Sequence, residues 1–258
     1  MRIHSVPARR GFTLAELLVV VAIVGLLVAI AVPAVRGARD SGRTAASLSN
    51  LRQCTAVALA YTADYAGLFP LYTDPTLQTQ TVLRHGGFAL PVRHMAAESW
   101  WHLALADAYL AGAPFAGVAY SPHEPLYRPD DGYHFAHYVY TCSLQADPRF
   151  FDPETRWVEG IKQLRAVGVR EVVQPSLRAV FTNRLSPVPD PNERRYEIGF
   201  VDGSAALVGP RGLGPQYEPN TGDWWPGKTL DFGHRRNFDH GLHTHLGARG
   251  RDVRTRNP

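Results

Sequence analysis

Two hydrophobic rhythms divide the chain. From Leu17 to Val35 apolar residues succeed one another with no charged side chain, and these nineteen positions rise about 28 Å as a helix, roughly a bilayer's hydrocarbon thickness. Beyond Pro33 the sequence turns polar and the period changes. Leu48, Leu51, Cys54, Ala58, Tyr61 and Tyr65 recur at steps of three and four, which places them on one helical stripe. Gly67 and Pro70 then stop the pattern. The rhythm predicts one long helix over residues 12–66, apolar all round in its first half and amphipathic in its second. Pro33 removes an intrahelical hydrogen bond and is expected to bend or locally melt this helix. Gly37 and Gly42 loosen the junction between its halves.

The rest of the chain mixes periods. Residues 97–111 read as a helix, with Trp100, Leu103, Ala104, Asp107, Ala108 and Ala111 on one side and Gly112 as its C-cap. Its paired tryptophans read as core rather than as a ligand shelf. Residues 152–169 read as a further helix of weaker pattern. Between the first two helices the sequence reads as irregular, with turn chemistry at Asp74-Pro75 and Gly86-Gly87. Strand signals follow at 133–141, which alternates and is rich in aromatics, and at 177–183. The strongest hairpin is RRYEIGFVDGSAALV: Tyr196, Ile198 and Phe200 alternate, and Asp202-Gly203 turns the chain into residues 205–208. From Gly209 onward Gly and Pro cluster and periodicity is lost, so 209–258 reads as a loop-rich extension docking in part through Trp224 and Trp225. The fold class predicted is α+β: the second half of a long N-terminal helix packed on a small antiparallel sheet.

One acid interrupts the N-terminal pattern. Glu16 stands immediately before the apolar run, preceded by Arg9-Arg10 and Gly11-Phe12. A carboxylate at a membrane segment is costly and by default suggests a function. A plain anchor leaves it at the headgroups with no role. A secretory signal peptide is a second reading, with Ala29-Ile30-Ala31 as a small-x-small cleavage site before Val32. The third rests on resemblance. RRGFTLAELLVVVAIVGLLVAIAVP resembles the class III leader and first helix of type IV pilins and type II secretion pseudopilins. That resemblance implies cleavage by a prepilin peptidase between Gly11 and Phe12, with N-methylation of Phe12. Glu16 is then fifth, and Pro33 twenty-second, from the new N-terminus. It also implies a role for the acid in assembly, pairing with a neighbouring subunit's terminal amine, since a charge expensive alone in lipid becomes tolerable with a partner. The segment NLRQCTAVALAYTADYAGLFP and the F-x-DG-x element of the hairpin are similar to pilin-like proteins with a DUF1559-type head. A histidine that many of those carry about ten residues before the DG is missing here, where the chain reads VPDPNERRY.

Charge changes this picture little. The formal net charge is +4, much of it in the leader and in Arg249, Arg251, Arg254 and Arg256. A solvated basic tail accounts for these, and no nucleic-acid-binding motif is recognisable. Arg2, Arg9 and Arg10 precede the apolar run and Arg36, Arg39 and Arg43 follow it, so the positive-inside rule nearly cancels. Resemblance, not charge, implies a cytoplasmic leader and a head outside the inner membrane. In such oxidising surroundings the two cysteines, Cys54 and Cys142, are candidates for a disulfide, with two unrelated buried thiols as the alternative.

Candidate chemistry is sparse. His234, His240, His243 and His245, with Asp231 and Asp239, offer zinc-type ligands within fifteen residues, but their spacing matches no named motif. Asp130-Asp131-Gly132 and Asp190-Pro191-Asn192 suit either a calcium loop or a plain Asx turn. No G-x-S-x-G, H-E-x-x-H or P-loop occurs, and neither an enzyme nor a cofactor is expected. The organisation expected is a leader over 1–11, a helix over 12–66 spanning the membrane at about 17–35, a head over 67–208, and the extension. Prepilin peptidase, like or related pilin subunits and the inner membrane are the partners this implies, with the protein in the inner membrane or an envelope filament. A binding or sensing head, held in the membrane by the same helix and never polymerised, is the alternative.

Overall fold

A computed structural model describes residues 13–71, 81–85, 88–92, 100–112, 117–123, 136–152, 154–155, 158–183, 196–209, 212 and 247–254. The chain divides into two compact units, Met1–Arg43 and Thr44–Pro258. One helix, α1 (Leu14–Asp64), runs from the first into the second. It passes unbroken through Pro33 rather than melting there. A proline deletes one amide donor, and the flanking turns of so long a helix keep theirs.

In the first unit every described residue from Thr13 to Arg43 is exposed. In the second, α1 buries Ser47, Leu51, Cys54, Thr55, Ala58 and Thr62. This face is rotated from the apolar stripe read in the sequence. Leu48 and Tyr61 lie at its margin, and Tyr65 is 52% exposed. Three hydroxyl residues take the vacated places. Thr55 Oγ1 donates to Leu51 O at 2.8 Å and Thr62 Oγ1 to Leu59 O at 2.7 Å, so helix carbonyls satisfy them and their methyl groups can pack.

The sheet that receives this face has four antiparallel strands in sequence order: β3 (Tyr138–Tyr140), β4 (Ala179–Asn183), β5 (Tyr196–Phe200) and β6 (Ala205–Val208). The β5–β6 hairpin forms as expected, closed by Gly203 N donating to Phe200 O at 2.9 Å. A bulge at Val180 shifts the β4–β5 register, so that Ala179 pairs with Phe200 but Phe181 with Gly199.

Alternation along β5 decides what lies where. Glu197 and Gly199 face α1, while Tyr196, Ile198 and Phe200 join Ala179, Val208 and Val253 in a separate apolar cluster on the other face. At Gly199 the strand touches the helix backbone: a Cβ there would stand 2.5 Å from Thr55 Oγ1 and 3.3 Å from Leu51 O.

Elsewhere the pattern misleads. The helix expected over 97–111 appears, in its described part, as two short turns, α2 (Trp101–Ala104) and α3 (Ala106–Tyr109), separated at Leu105. Trp101 explains the break. Its ring is fully buried 4.7 Å from Phe181, and its indole N–H donates to Tyr138 O at 2.7 Å, so α2 follows the edge of the sheet rather than its own period. The helix expected over 152–169 appears, in its described part, as a 3-10 turn at Gly160–Gln163 followed by another at Val169–Glu171. A segment read as irregular contains a hairpin, β1 (Thr81–His85) with β2 (Phe88–Val92).

The C-terminal segment is the largest departure from expectation. Residues 247–254 dock into the head, with Ala248, Asp252 and Val253 fully buried and Arg249, Arg251 and Arg254 exposed. Asp252 pairs with Arg178, both wholly inaccessible, and its Oδ2 also accepts from Ala179 N at 2.7 Å. Gly247 packs where a Cβ would lie 2.8 Å from the Phe151 ring and 3.0 Å from Pro148 Cα. Val253 caps the apolar face of β5.

Candidate functional site

The features that point to function begin at the first described residue. Thr13 and Glu16 form a reciprocal cap on α1. Glu16 N donates to Thr13 Oγ1 at 3.2 Å, while Thr13 N and Thr13 Oγ1 each donate to Glu16 Oε2 at 2.8 Å. This is a capping box, and its signature, Thr followed three residues later by Glu ahead of an apolar run, stands in the sequence. Sequence reading singled out Glu16 but overlooked Thr13. Gly11 and Phe12 lie outside the described residues, as do His234, His240, His243 and His245, Asp130–Gly132, Asp190–Asn192, and Trp224 and Trp225.

Beyond the cap, α1 presents an apolar surface with no protein cover. Leu17, Leu18, Val21, Leu26, Leu27 and Ile30 are each 60–64% exposed. Among the described residues this is the one helix long and apolar enough to cross a membrane. Such a surface in water costs roughly 25 cal/mol for each Å² and calls for lipid or other helices around it.

The head holds polar groups of a different kind. Glu197, 3% exposed, lies between two elements: Ser47 Oγ of α1 donates to its Oε2 at 2.5 Å, and His123 Nε2 lies 3.2 Å from its Oε1. While the one hydroxyl proton of Ser47 is given to the carboxylate, Tyr138 Oη is the donor in its 2.6 Å contact with Ser47 Oγ. Thr44 Oγ1 completes the cluster, 3.2 Å from His123 Nε2. Burial pushes the Glu197 carboxyl above the usual carboxylate range, against the opposing pull of Ser47 and His123. Serine, histidine and a carboxylate meet here, but in the wrong order for nucleophilic catalysis: the serine bonds to the acid instead of to an imidazole base.

A second charged group ties loops together. Asp147 accepts from Arg149 Nε at 3.1 Å and Arg165 Nη2 at 2.9 Å, and Arg165 also donates to Glu171 at 2.8 Å. Burial works to raise the Asp147 carboxyl, but hydrogen bonds from Arg149 and then from Arg165 outweigh it and hold the group at about 2.

Cys54 and Cys142, the candidate disulfide pair, are both buried thiols. They belong to different apolar clusters, Cys54 with Leu51 and Ala58 against the sheet, Cys142 with Phe150, Phe151 and Leu164. The Cys54 thiol donates to Val118 O at 3.2 Å, and burial pushes it far above the usual thiol range. Among the described residues, no group of three or more His, Cys, Asp or Glu side chains is arranged to hold a metal ion.

Comparison with known proteins bears on the first of these features. Residues 7–32 match the prokaryotic N-terminal methylation motif. This supports a prepilin-type N-terminus. The match spans the basic residues, Gly11-Phe12, the Thr13–Glu16 cap and most of the apolar run. It supports a type IV pilin-like or pseudopilin protein, and with the N-terminal apolar helix it is consistent with a single-pass, membrane-anchored chain. No curated protein and no solved structure matches. The resemblance of the head to DUF1559-type proteins gains no support from these comparisons.

Proposed function

We propose that this protein is an exported type IV pilin-like or pseudopilin subunit, processed by prepilin peptidase after Gly11 and assembled through its N-terminal helix into a pilus or secretion pseudopilus. The observation that carries the reading is the methylation motif coinciding in register with an uncovered apolar helix whose first turn carries Glu16. Thr13 and Glu16 add physical detail. Before assembly the carboxylate is held by its own helix, so it is neither unsatisfied nor free to stray. In a filament a neighbour's terminal amine competes for the same oxygen atoms, and in apolar surroundings a charged donor holds the carboxylate more strongly than the neutral donors of the cap. The protein then acts as a structural subunit rather than a catalyst. Its head lies outside the inner membrane, and its partners are prepilin peptidase, the membrane and like or related subunits.

Mass spectrometry of the mature N-terminus from envelope fractions tests the reading. The expected first residue is N-methyl-Phe12. A chain beginning at Val32 would establish cleavage as a secretory signal peptide and overturn it.

A further inference from the structure

We propose that Glu197, held between His123 and Ser47, is a proton-operated latch on the first head-bound turns of α1: the neutral acid seats residues 44–51 against β5, and the carboxylate loosens them. The geometry begins with the alternation of β5, which turns Glu197 toward α1 with Gly199. Its side chain is 3% exposed, and its partners are the Ser47 hydroxyl at 2.5 Å and the His123 ring at 3.2 Å. Ser47 is the first buried side chain of α1, and Thr44, also 3.2 Å from His123, is the first residue of the second unit. The cluster therefore lies where the head's hold on the helix begins.

The network accommodates either form of the acid, but not at equal cost. When ionised, Glu197 accepts from Ser47, and Ser47 accepts from Tyr138 Oη at 2.6 Å. When neutral, its own O–H can donate to Ser47 Oγ, and Tyr138 Oη has a second acceptor, Ser47 O at 3.4 Å. All hydrogen bonds survive the exchange, while the neutral form escapes the cost of a buried charge. Among the described residues, the groups facing Glu197 are Thr44 and Ser47 from α1, Tyr138 from β3, Asn183 from β4, whose Oδ1 accepts from Glu197 N at 3.1 Å, and His123. Among the described residues His123 is the basic side chain within hydrogen-bond reach of the carboxyl group.

The direction follows from linkage. Burial raises the Glu197 carboxyl above its unfolded value. Its contribution is therefore whole below the ordinary carboxylate range and is lost as pH rises through the raised value. Each pH unit between the two values favours opening by about tenfold. An acid medium thus shortens, and an alkaline medium lengthens, the part of α1 free of the head.

Hydrogen exchange on the full chain in detergent micelles tests the latch, with wild type and Glu197→Gln compared at each pH so that intrinsic rates cancel. At pH 8 the wild type should exchange about tenfold faster than the variant across residues 44–51, and at pH 4.5 the two should agree within about twofold. Residues 54–62 should not change. The same ratio at both pH values, or a change spread evenly over residues 44–64, overturns the proposal. A second variant guards against misfolding of the first. His123→Ala removes the ring nitrogen that hydrogen-bonds to the carboxylate and opposes the effect of burial, so it should steepen the pH dependence of exchange at 44–51. A flatter or unchanged profile in that variant overturns the proposal equally.

Discussion

Gly199 is where the fold leaves least room, and Gly199→Ala is the sharpest test of how α1 meets the sheet. The added methyl would stand 2.5 Å from Thr55 Oγ1 and 3.3 Å from Leu51 O, the first closer than real Cβ contacts come. Neither neighbour yields easily. Leu51 O is helix backbone, and Thr55 Oγ1 is held by its 2.8 Å hydrogen bond to that same carbonyl. Strand and helix must therefore move apart, along a face that also carries the fully buried Leu51, Cys54 and Ala58. Overpacking of this kind costs about 1–3 kcal/mol, and the lower backbone entropy of alanine returns roughly 0.5–1 kcal/mol of it. A net loss of about 1–2 kcal/mol lowers the melting temperature of a domain this size by about 2–8 °C. Tryptophan fluorescence is the suitable probe, because Trp101 is buried against Phe181 in the strand paired with β5. A control identifies the atom responsible. Thr55→Ala deletes the nearer neighbour, so Thr55→Ala/Gly199→Ala should recover about half of the loss, the Leu51 carbonyl still being close. An unchanged melting temperature in Gly199→Ala, or strictly additive effects in the double variant, would refute the close approach.

The remaining predictions concern charge. Asp252→Ala leaves the Arg178 guanidinium buried without its carboxylate and should destabilise the head by about 3–5 kcal/mol, read as a lower denaturant midpoint; a midpoint unchanged from wild type rules out the docking of 247–254. Asp147 is held at about 2, below its unfolded value, so its contribution is present at neutral pH and lost as pH falls from about 4 toward 2. Asp147→Asn should flatten the acid limb of a stability–pH profile in that window, and an identical limb refutes the assignment. At the N-terminus, Glu16→Gln can keep the capping box while removing the charge, whereas Glu16→Ala removes both and costs the helix start about 1 kcal/mol. Export and cleavage should persist in both variants and assembly should fail in both; filaments built from Glu16→Gln would show that the charge is dispensable.

What the sequence disclosed was mostly local. The β5–β6 hairpin is legible because alternation and an Asp-Gly turn sit side by side, and α1 because two helical periods run end to end. Glu16 stood out because a charge beside an apolar run contradicts its neighbours. Its cap with Thr13 was equally local and was available to reading as Thr-x-x-Glu. The short turns α2 and α3 were not legible, since helical spacing there is overridden by one tertiary contact, the Trp101 indole on Tyr138.

The sequence leaves open which face of the sheet receives the helix, and the answer accounts for two surprises. Tyr196, Ile198 and Phe200 form the apolar alternation of β5, and an amphipathic helix would be expected to cover them. The opposite phase, Glu197 and Gly199, looks like a solvent face. The structure inverts this arrangement because close packing of a helix on a strand needs little bulk at the crossing, and Gly199 supplies none. Once the helix takes that face, Glu197 is buried by necessity, and hydroxyl groups on α1 become the useful partners for it. Ser47 is thus buried where apolar periodicity has no place for it. The aromatic face is left needing another cover, and residues 247–254 provide it, with Val253 on the strand and Asp252 neutralising Arg178 beneath. A buried acid against the helix and a docked C-terminal segment are therefore two consequences of one steric choice at Gly199, and neither follows from the local sequence around it.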